Sequence, residues 1–230
     1  MAGTMYYPNI YICGKAGVGK SEVAKILVAE YGYRREAMAN GVKRGVHVLL
    51  NMPNSHEKNV EDYVKDLFPT DEVDCAMAIK KFLKHGNEWR INITGHMNEW
   101  RSQQEFHKWR CAKENYRAFM QWWGTAICRT IDENVWVDYY LRHVFTFENP
   151  VVCDDVRFHN EEHALSIYEY TGIHITCDTI ATPTSLTDTQ STHESEQYEP
   201  AYCKYAIHND GDLEQLNSRL HEIMEEITHE

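Results

Sequence analysis

Apolar residues fall into short continuous runs near the start of the chain and again past its middle, and into helical stripes elsewhere. Ile10 to Cys13 is a four-residue apolar run closed by Gly14, which reads as a buried strand. Val23, Ala24, Ile26, Leu27 and Tyr31 then recur at helical spacing, and Gly32 is a natural stop. Tyr33 to Leu50 has no clear period, with small and basic residues up to Arg44 and an apolar stretch from Val46. Asn51 to Thr70 is polar and predicts a loop, then a short amphipathic helix over Val60 to Phe68. Val73 to Leu83 shows helical spacing, and Trp89 to Thr94 fits a short strand or part of a loop. Phe106 to Ile131 predicts a long helix with an apolar stripe of Tyr116, Phe119, Met120, Trp123, Ala126 and Ile127. A second helix follows over Asp138 to Phe145.

Pro150 to Asp155 is an apolar run ending in acid, the pattern of a parallel strand with a carboxylate at its C-terminal end. A helix opens at His159 and runs to Thr171, with Gly172 as its stop. Ile173 to Cys177 and Tyr202 to Ile207 read as further strands. Leu213, Leu216, Leu220, Ile223, Met224 and Ile227 form the stripe of a closing helix, after a turn and cap at Asn209 to Asp212. Between the last two strands, Asp178 to Pro200 is rich in Thr, Ser, Asp and Glu and contains no Lys or Arg; it is expected to be a mobile flap. The pattern as a whole predicts an α/β domain.

The stretch after the first run carries the clearest chemistry. Gly14, Lys15, Ala16, Gly17, Val18, Gly19, Lys20 and Ser21 match G-x-x-x-x-G-K-[ST], between a strand and a helix. Glycines let successive backbone N–H groups turn toward phosphate oxygens, and the following helix aims its positive end at them. Lys20 adds a point charge near the β- and γ-phosphates, and the Ser21 hydroxyl is suited to Mg²⁺. This implies a nucleoside triphosphate but not its use.

Composition narrows the partners. The chain has 230 residues, 43 % of them apolar and 12 % aromatic, enough for one globular domain with a sizeable core. A net charge of -12 argues against nucleic acid or an anionic membrane surface as the main partner. No apolar run is long enough to span a bilayer, and Met1 to Asn9 lacks the features of an export signal. Seven scattered cysteines without C-x-x-C read as buried free thiols. His159 to His163 matches the zinc-peptidase pattern H-x-x-E-H, but it opens a helix directly after a strand and no third ligand is suggested, so acids in a first helical turn are the better reading.

Several polar residues have two open readings. Lys43 and Arg44 are either contacts for an anionic substrate or a solvated helix face. Arg117, Gln121 and Gly124 share a helix face, with Arg129 one turn on; they form either a substrate wall or exposed polar positions. Asp155 and Arg157 share strand alternation and could both face the phosphate site, or form a turn with an internal ion pair. The doubled acid leaves Asp154 and Asp155 hard to rank; the D-x-R-F match favours Asp155.

Arg117-Ala-Phe-Met-Gln121-Trp-Trp-Gly124-Thr125, then Arg129, Trp136 and Asp155-Val-Arg157-Phe-x-Asn160-Glu161 resemble the bacteriophage deoxynucleoside monophosphate kinases. So do His193-x-Ser195-Glu196 and Ile207-His-Asn209-Asp-Gly211-x-Leu213-x-x-Leu216. The resemblance runs from about Ile10 to Ile223, with little of it in residues 51–96. It implies a P-loop kinase fold with a parallel sheet of five strands. The core would be about 8–50 and 148–230, the helical substrate-binding part about 51–147 and the flap about 178–200. It implies γ-phosphoryl transfer from ATP, with Mg²⁺, to a deoxynucleoside 5′-monophosphate. Arg117, Trp136, Asp155 and Arg157 are then site residues, with Lys43, Gln121 and Arg129 as further substrate contacts and Trp136 stacked on the acceptor base. Ser21 and Asp155 would serve the metal. A homodimer and the cytoplasm, the host's if the gene is a phage's, are also implied. The flap departs from adenylate kinase-like enzymes, which bring arginines into the site on theirs. Alternatives within the fold are kinases for dephospho-coenzyme A or a sugar acid; outside it, a nucleotide-gated binding module.

Overall fold

A computed structural model describes residues 7–51, 57–69, 76–78, 80, 81, 84, 119–178 and 198–229, with the backbone alone for 46–51 and 57–61. Two compact units are present: Met1–Met38 with Leu141–Glu230, and Ala39–Tyr140.

The first unit is built on a five-stranded sheet. Its strands are β1 (Ile10–Cys13), β2 (Arg34–Arg35), β3 (Val151–Cys153), β4 (Thr171–Thr176) and β5 (Tyr205–His208), in the spatial order β2-β3-β1-β4-β5. Every neighbouring pair is parallel, with Ile10 opposite both Val152 and Thr171, Arg35 opposite Val152, and Ile175 opposite Ile207. Continuous apolar runs suit parallel strands because both faces are covered. All residues of β1 and β3 are buried. Helices α1 (Lys20–Tyr31) and α6 (Leu213–His229) supply much of that cover. Val23, Ala24 and Leu27 from α1, and Leu216, Leu220 and Met224 from α6, join Ile10, Ile12, Val152, Ile173 and Ile207 in one core. The expected parallel sheet of an α/β P-loop kinase fold is therefore present.

Two elements differ from the pattern reading. The aperiodic stretch from Tyr33 resolves into the two-residue β2 and a helix, α2 (Asn40–Asn51). Gly172 does not stop a helix: α5 (His159–Ile167) ends earlier, Glu169 takes the left-handed turn at φ 60°, and Gly172 lies inside β4. Its missing side chain is needed there, because a Cβ would collide with the Tyr11 ring and lie 2.9 Å from the Cys203 Cα.

The second unit is helical where it is described. It holds α2, α3 (Glu57–Leu67), a π-helix over Trp122–Arg129 and the start of α4 (Val135–Val144). The π-helix replaces the uniform α-helix expected across this stretch, and the wider turn shifts which side chains share a face. Tyr63 and Trp123 form a buried polar chain: the Trp123 indole N–H donates to the Tyr63 hydroxyl at 3.1 Å, which donates to the Gly41 carbonyl at 3.0 Å. α4 begins at Val135, ahead of the expected Asp138. The Asp132 carboxylate accepts from the Asn134 amide and the Asp132 carbonyl from the Val135 amide, which sets that start. Residues 89–94 and 106–118, and most of the proposed flap, lie outside the described residues.

One buried acid organises the approach to β5. Glu162 on α5 is fully buried, and its carboxylate accepts from the Ala201 amide at 2.9 Å, the Tyr202 amide at 2.7 Å and the Tyr11 hydroxyl at 3.4 Å. The histidines flanking it pack on different tyrosines, His159 on Tyr198 and His163 on Tyr202. The H-x-x-E-H match is thus a clamp on residues 198–202, with the acid turned inward. Replacing Glu162 by Ala strands two amide donors, so we expect urea denaturation to show a loss of about 3 kcal/mol.

Candidate functional site

The loop from Gly14 to Ser21 leaves the C-terminal end of β1 and enters α1 at Lys20. Gly14 and Gly19 sit at φ 138° and 107°, values an L side chain resists. Space forbids one as well: a Cβ on Gly14 would strike the Ile175 carbonyl of β4, and one on Gly19 would lie 2.6 Å from the Asn209 amide nitrogen. Asn209, just after β5, donates that same nitrogen to the Val18 carbonyl at 2.8 Å. The loop is therefore backed from outside by β4 and by the turn leading to α6. Lys20, only 8 % exposed, arches over it and donates to the carbonyls of Gly14 at 2.5 Å and Lys15 at 2.7 Å. Lys15 itself is exposed and lies 3.9 Å from Glu199, an ion pair of little weight in water. Ala16 and Gly17 fill the loop's tip, with Val18 tucked into the core.

The end of β3 lies beside the first turn of α1. Asp154, the first residue past the strand, is 4 % exposed and accepts a hydrogen bond from the Ser21 hydroxyl at 3.1 Å. Arg35 at the end of β2 reaches across β3 to the same place. Its guanidinium donates to both Asp154 oxygens, at 3.0 and 2.6 Å, and to the Ser21 oxygen at 3.2 Å. The Asp154 carboxylate raises the Arg35 pKa further, keeping the guanidinium charged.

The two neighbouring acids have different partners. Asp155, favoured from sequence, turns the other way: its Oδ1 accepts from the Met38 amide at 2.7 Å and the Cys153 thiol at 3.4 Å. The strand ends at Cys153, so alternation no longer governs the residues beyond it, and the free Met38 amide captures the second carboxylate. Arg157 follows in the same turn, its amide donating to Glu161 in the first turn of α5 at 2.9 Å. Sequence reasoning passed over Arg35 and gave Asn209 no role. The signal for Arg35 was its position at the second strand of a P-loop chain; for Asn209, an amide directly after the last apolar run.

In the helical unit the expected substrate residues have separate settings. Lys43 is exposed on α2. Gln121 is half-buried where the π-helix begins. Arg129 ends that helix and donates to the Glu133 carbonyl at 3.0 Å. Arg44, the other half of the basic pair, bonds Asp66 at 2.5 Å and the Tyr139 hydroxyl at 3.0 Å. Trp136, expected to stack on a base, is instead a packing residue: it is 2 % exposed, and its indole N–H is held by the Gly124 carbonyl at 3.0 Å. An indole so placed satisfies its polar atom inside the fold. Arg117 lies outside the described residues.

No curated protein matches the chain significantly. A family model for deoxynucleotide monophosphate kinase matches residues 75–220, well over half of the sequence. The phosphate-loop segment lies ahead of that match, so loop geometry and family match are separate observations. Asp154, Arg157 and Asn209 fall within it. The chain, a five-stranded parallel α/β protein with a glycine-rich loop at the end of its central strand, belongs to the deoxynucleotide monophosphate kinase family.

Proposed function

We propose that this kinase transfers the γ-phosphoryl group of ATP to a deoxynucleoside 5′-monophosphate, giving the diphosphate. The observation that carries this reading is the meeting of Lys20, Ser21 and Asp154 at the C-terminal ends of β1 and β3. Phosphoryl transfer needs positioning and charge neutralisation more than covalent chemistry. The loop amides and the start of α1 hold phosphate oxygens, and the Lys20 ammonium compensates their charge. A phosphate acceptor is already anionic, so no strong general base is required.

The donor set near Ser21 suits Mg²⁺. The Ser21 hydroxyl and the Asp154 carboxylate are hard oxygen ligands 3.1 Å apart, the type this ion prefers. Those two residues would hold it, and the ion would supply charge compensation between the phosphates. Arg35 holds Asp154 through both carboxylate oxygens, beside the Ser21 hydroxyl. Arg157 and Arg117 are suited to bidentate contact with transferred and acceptor phosphates. Lys43, Gln121 and Arg129 are the remaining candidates for contact with the acceptor.

A coupled assay with ATP, Mg²⁺ and each deoxynucleoside monophosphate tests the reaction. We expect turnover with at least one of them; folded protein that phosphorylates none, but accepts dephospho-coenzyme A or a sugar acid, refutes the acceptor. Lys20→Ala should keep its fold by circular dichroism and lose about 100-fold or more in kcat. The two acids should separate: Asp154→Asn is expected to cost about 100-fold in kcat and to raise the Mg²⁺ requirement, while Asp155→Asn costs less than about tenfold.

A further inference from the structure

Two thiols meet behind the phosphate loop. Cys13 ends β1 directly before Gly14, and Cys203 lies two residues before β5. In the sheet β4 separates β1 from β5, yet the two Sγ atoms are 3.3 Å apart. Gly172 makes this possible. A Cβ there would lie 2.9 Å from the Cys203 Cα, so the Cys203 backbone rests directly on β4, fixed by the Lys204 amide donating to the Gly172 carbonyl at 3.0 Å. Glu162 holds the residues just before Cys203 by the Ala201 and Tyr202 amides. One of its carboxylate oxygens lies within 4.8 Å of both sulfurs, and the Tyr198 hydroxyl is 3.8 Å from the Cys13 Sγ. Cys13 is fully buried and Cys203 is half-buried.

We propose that Cys13 and Cys203 are a reactive dithiol that closes to an intramolecular disulfide on meeting a hydroperoxide. A disulfide needs the sulfurs at about 2.05 Å, so the pair has to close by a little over 1 Å. The Cys203 thiol gives up its proton and the thiolate attacks one oxygen of hydrogen peroxide; the O–O bond breaks, Cys203 becomes a sulfenic acid, and the other oxygen leaves as hydroxide, which takes up the released proton to become water. The Cys13 sulfur then attacks the Cys203 sulfur, the S–O bond breaks, and the hydroxyl leaves as a second water with the Cys13 proton. Both sulfurs are oxidised and one peroxide is reduced. Cys13 is fully buried and Cys203 only half-buried, so Cys203 meets the peroxide first and Cys13 resolves it; contact with Cys203 and burial, which push the Cys13 thiol up, act in the same direction.

The test reads mass and not turnover, so it stands or falls apart from the phosphoryl-transfer reading. Full-length protein is reduced, desalted, treated with hydrogen peroxide near stoichiometry, and alkylated in denaturant before non-reducing digestion. The expected product is a linked peptide pair carrying Cys13 and Cys203, lost on dithiothreitol treatment. Cys203→Ser should abolish it and Cys177→Ser should retain it. If Cys203→Ser does not fold, the wild-type peptide map decides alone. Cys203 over-oxidised while Cys13 remains alkylatable, or a bond from either residue to a different cysteine, overturns the proposal. So does purified protein carrying stoichiometric zinc that shields both thiols until chelation.

Discussion

Strand β1 has no exposed residue: Ile10, Tyr11, Ile12 and Cys13 are sealed by β3 on one side, β4 on the other and the helical layers above and below. That confinement fixes where the chain emerges. The loop leaves the centre of the sheet between β3 and β4, where crossovers on the two sides diverge and a crevice opens at the strand ends. Its conformation is then forced from behind, by the Ile175 carbonyl against Gly14 and the Asn209 side chain under Val18. A loop of small residues is held rigid by neighbours that are themselves strand ends.

Among the described residues the same unit buries three carboxylates, Asp154, Glu161 and Glu162, and the first and last are satisfied differently. Asp154 faces a guanidinium and a hydroxyl, so its charge is compensated by a partner that is itself partly in water. Glu162 is met by backbone amides and a phenol, neutral donors that satisfy lone pairs while leaving the charge in place. The first arrangement suits an acid that must share its charge with a ligand. The second suits one whose purpose is to fix chain geometry, since removing any donor leaves an unpaired buried group.

The sheet and the glycine-rich turn between β1 and α1 were readable because they depend on local signals: continuous apolar runs, glycine spacing, and helical stripes on α1 and α6. What was not readable depends on tertiary choice. Asp154 and Asp155 are chemically identical, and it takes their tertiary partners, Ser21 and Arg35 for the first and the Met38 amide for the second, to tell them apart. Trp136 looks the same in sequence whether it stacks on a base or packs against a glycine carbonyl. Arg35 is separated from Asp154 by more than a hundred residues, so no spacing rule connects them. Gly172 misled because a glycine after a helical stripe resembles a stop, while its use is to admit a neighbouring backbone.

The clamps at Glu162 and Asp210 carry a consequence for how this sequence tolerates change. The Asp178 amide donates to Asp210 at 2.8 Å, and the Ala201 amide is fixed by Glu162. Both ends of the intervening stretch are thus nailed down by groups belonging to the sheet unit, whatever that stretch contains. Exchanging either acid for an apolar side chain takes the acceptor away from a backbone amide, so these two positions are constrained by the backbone they hold and not by any chemistry they perform.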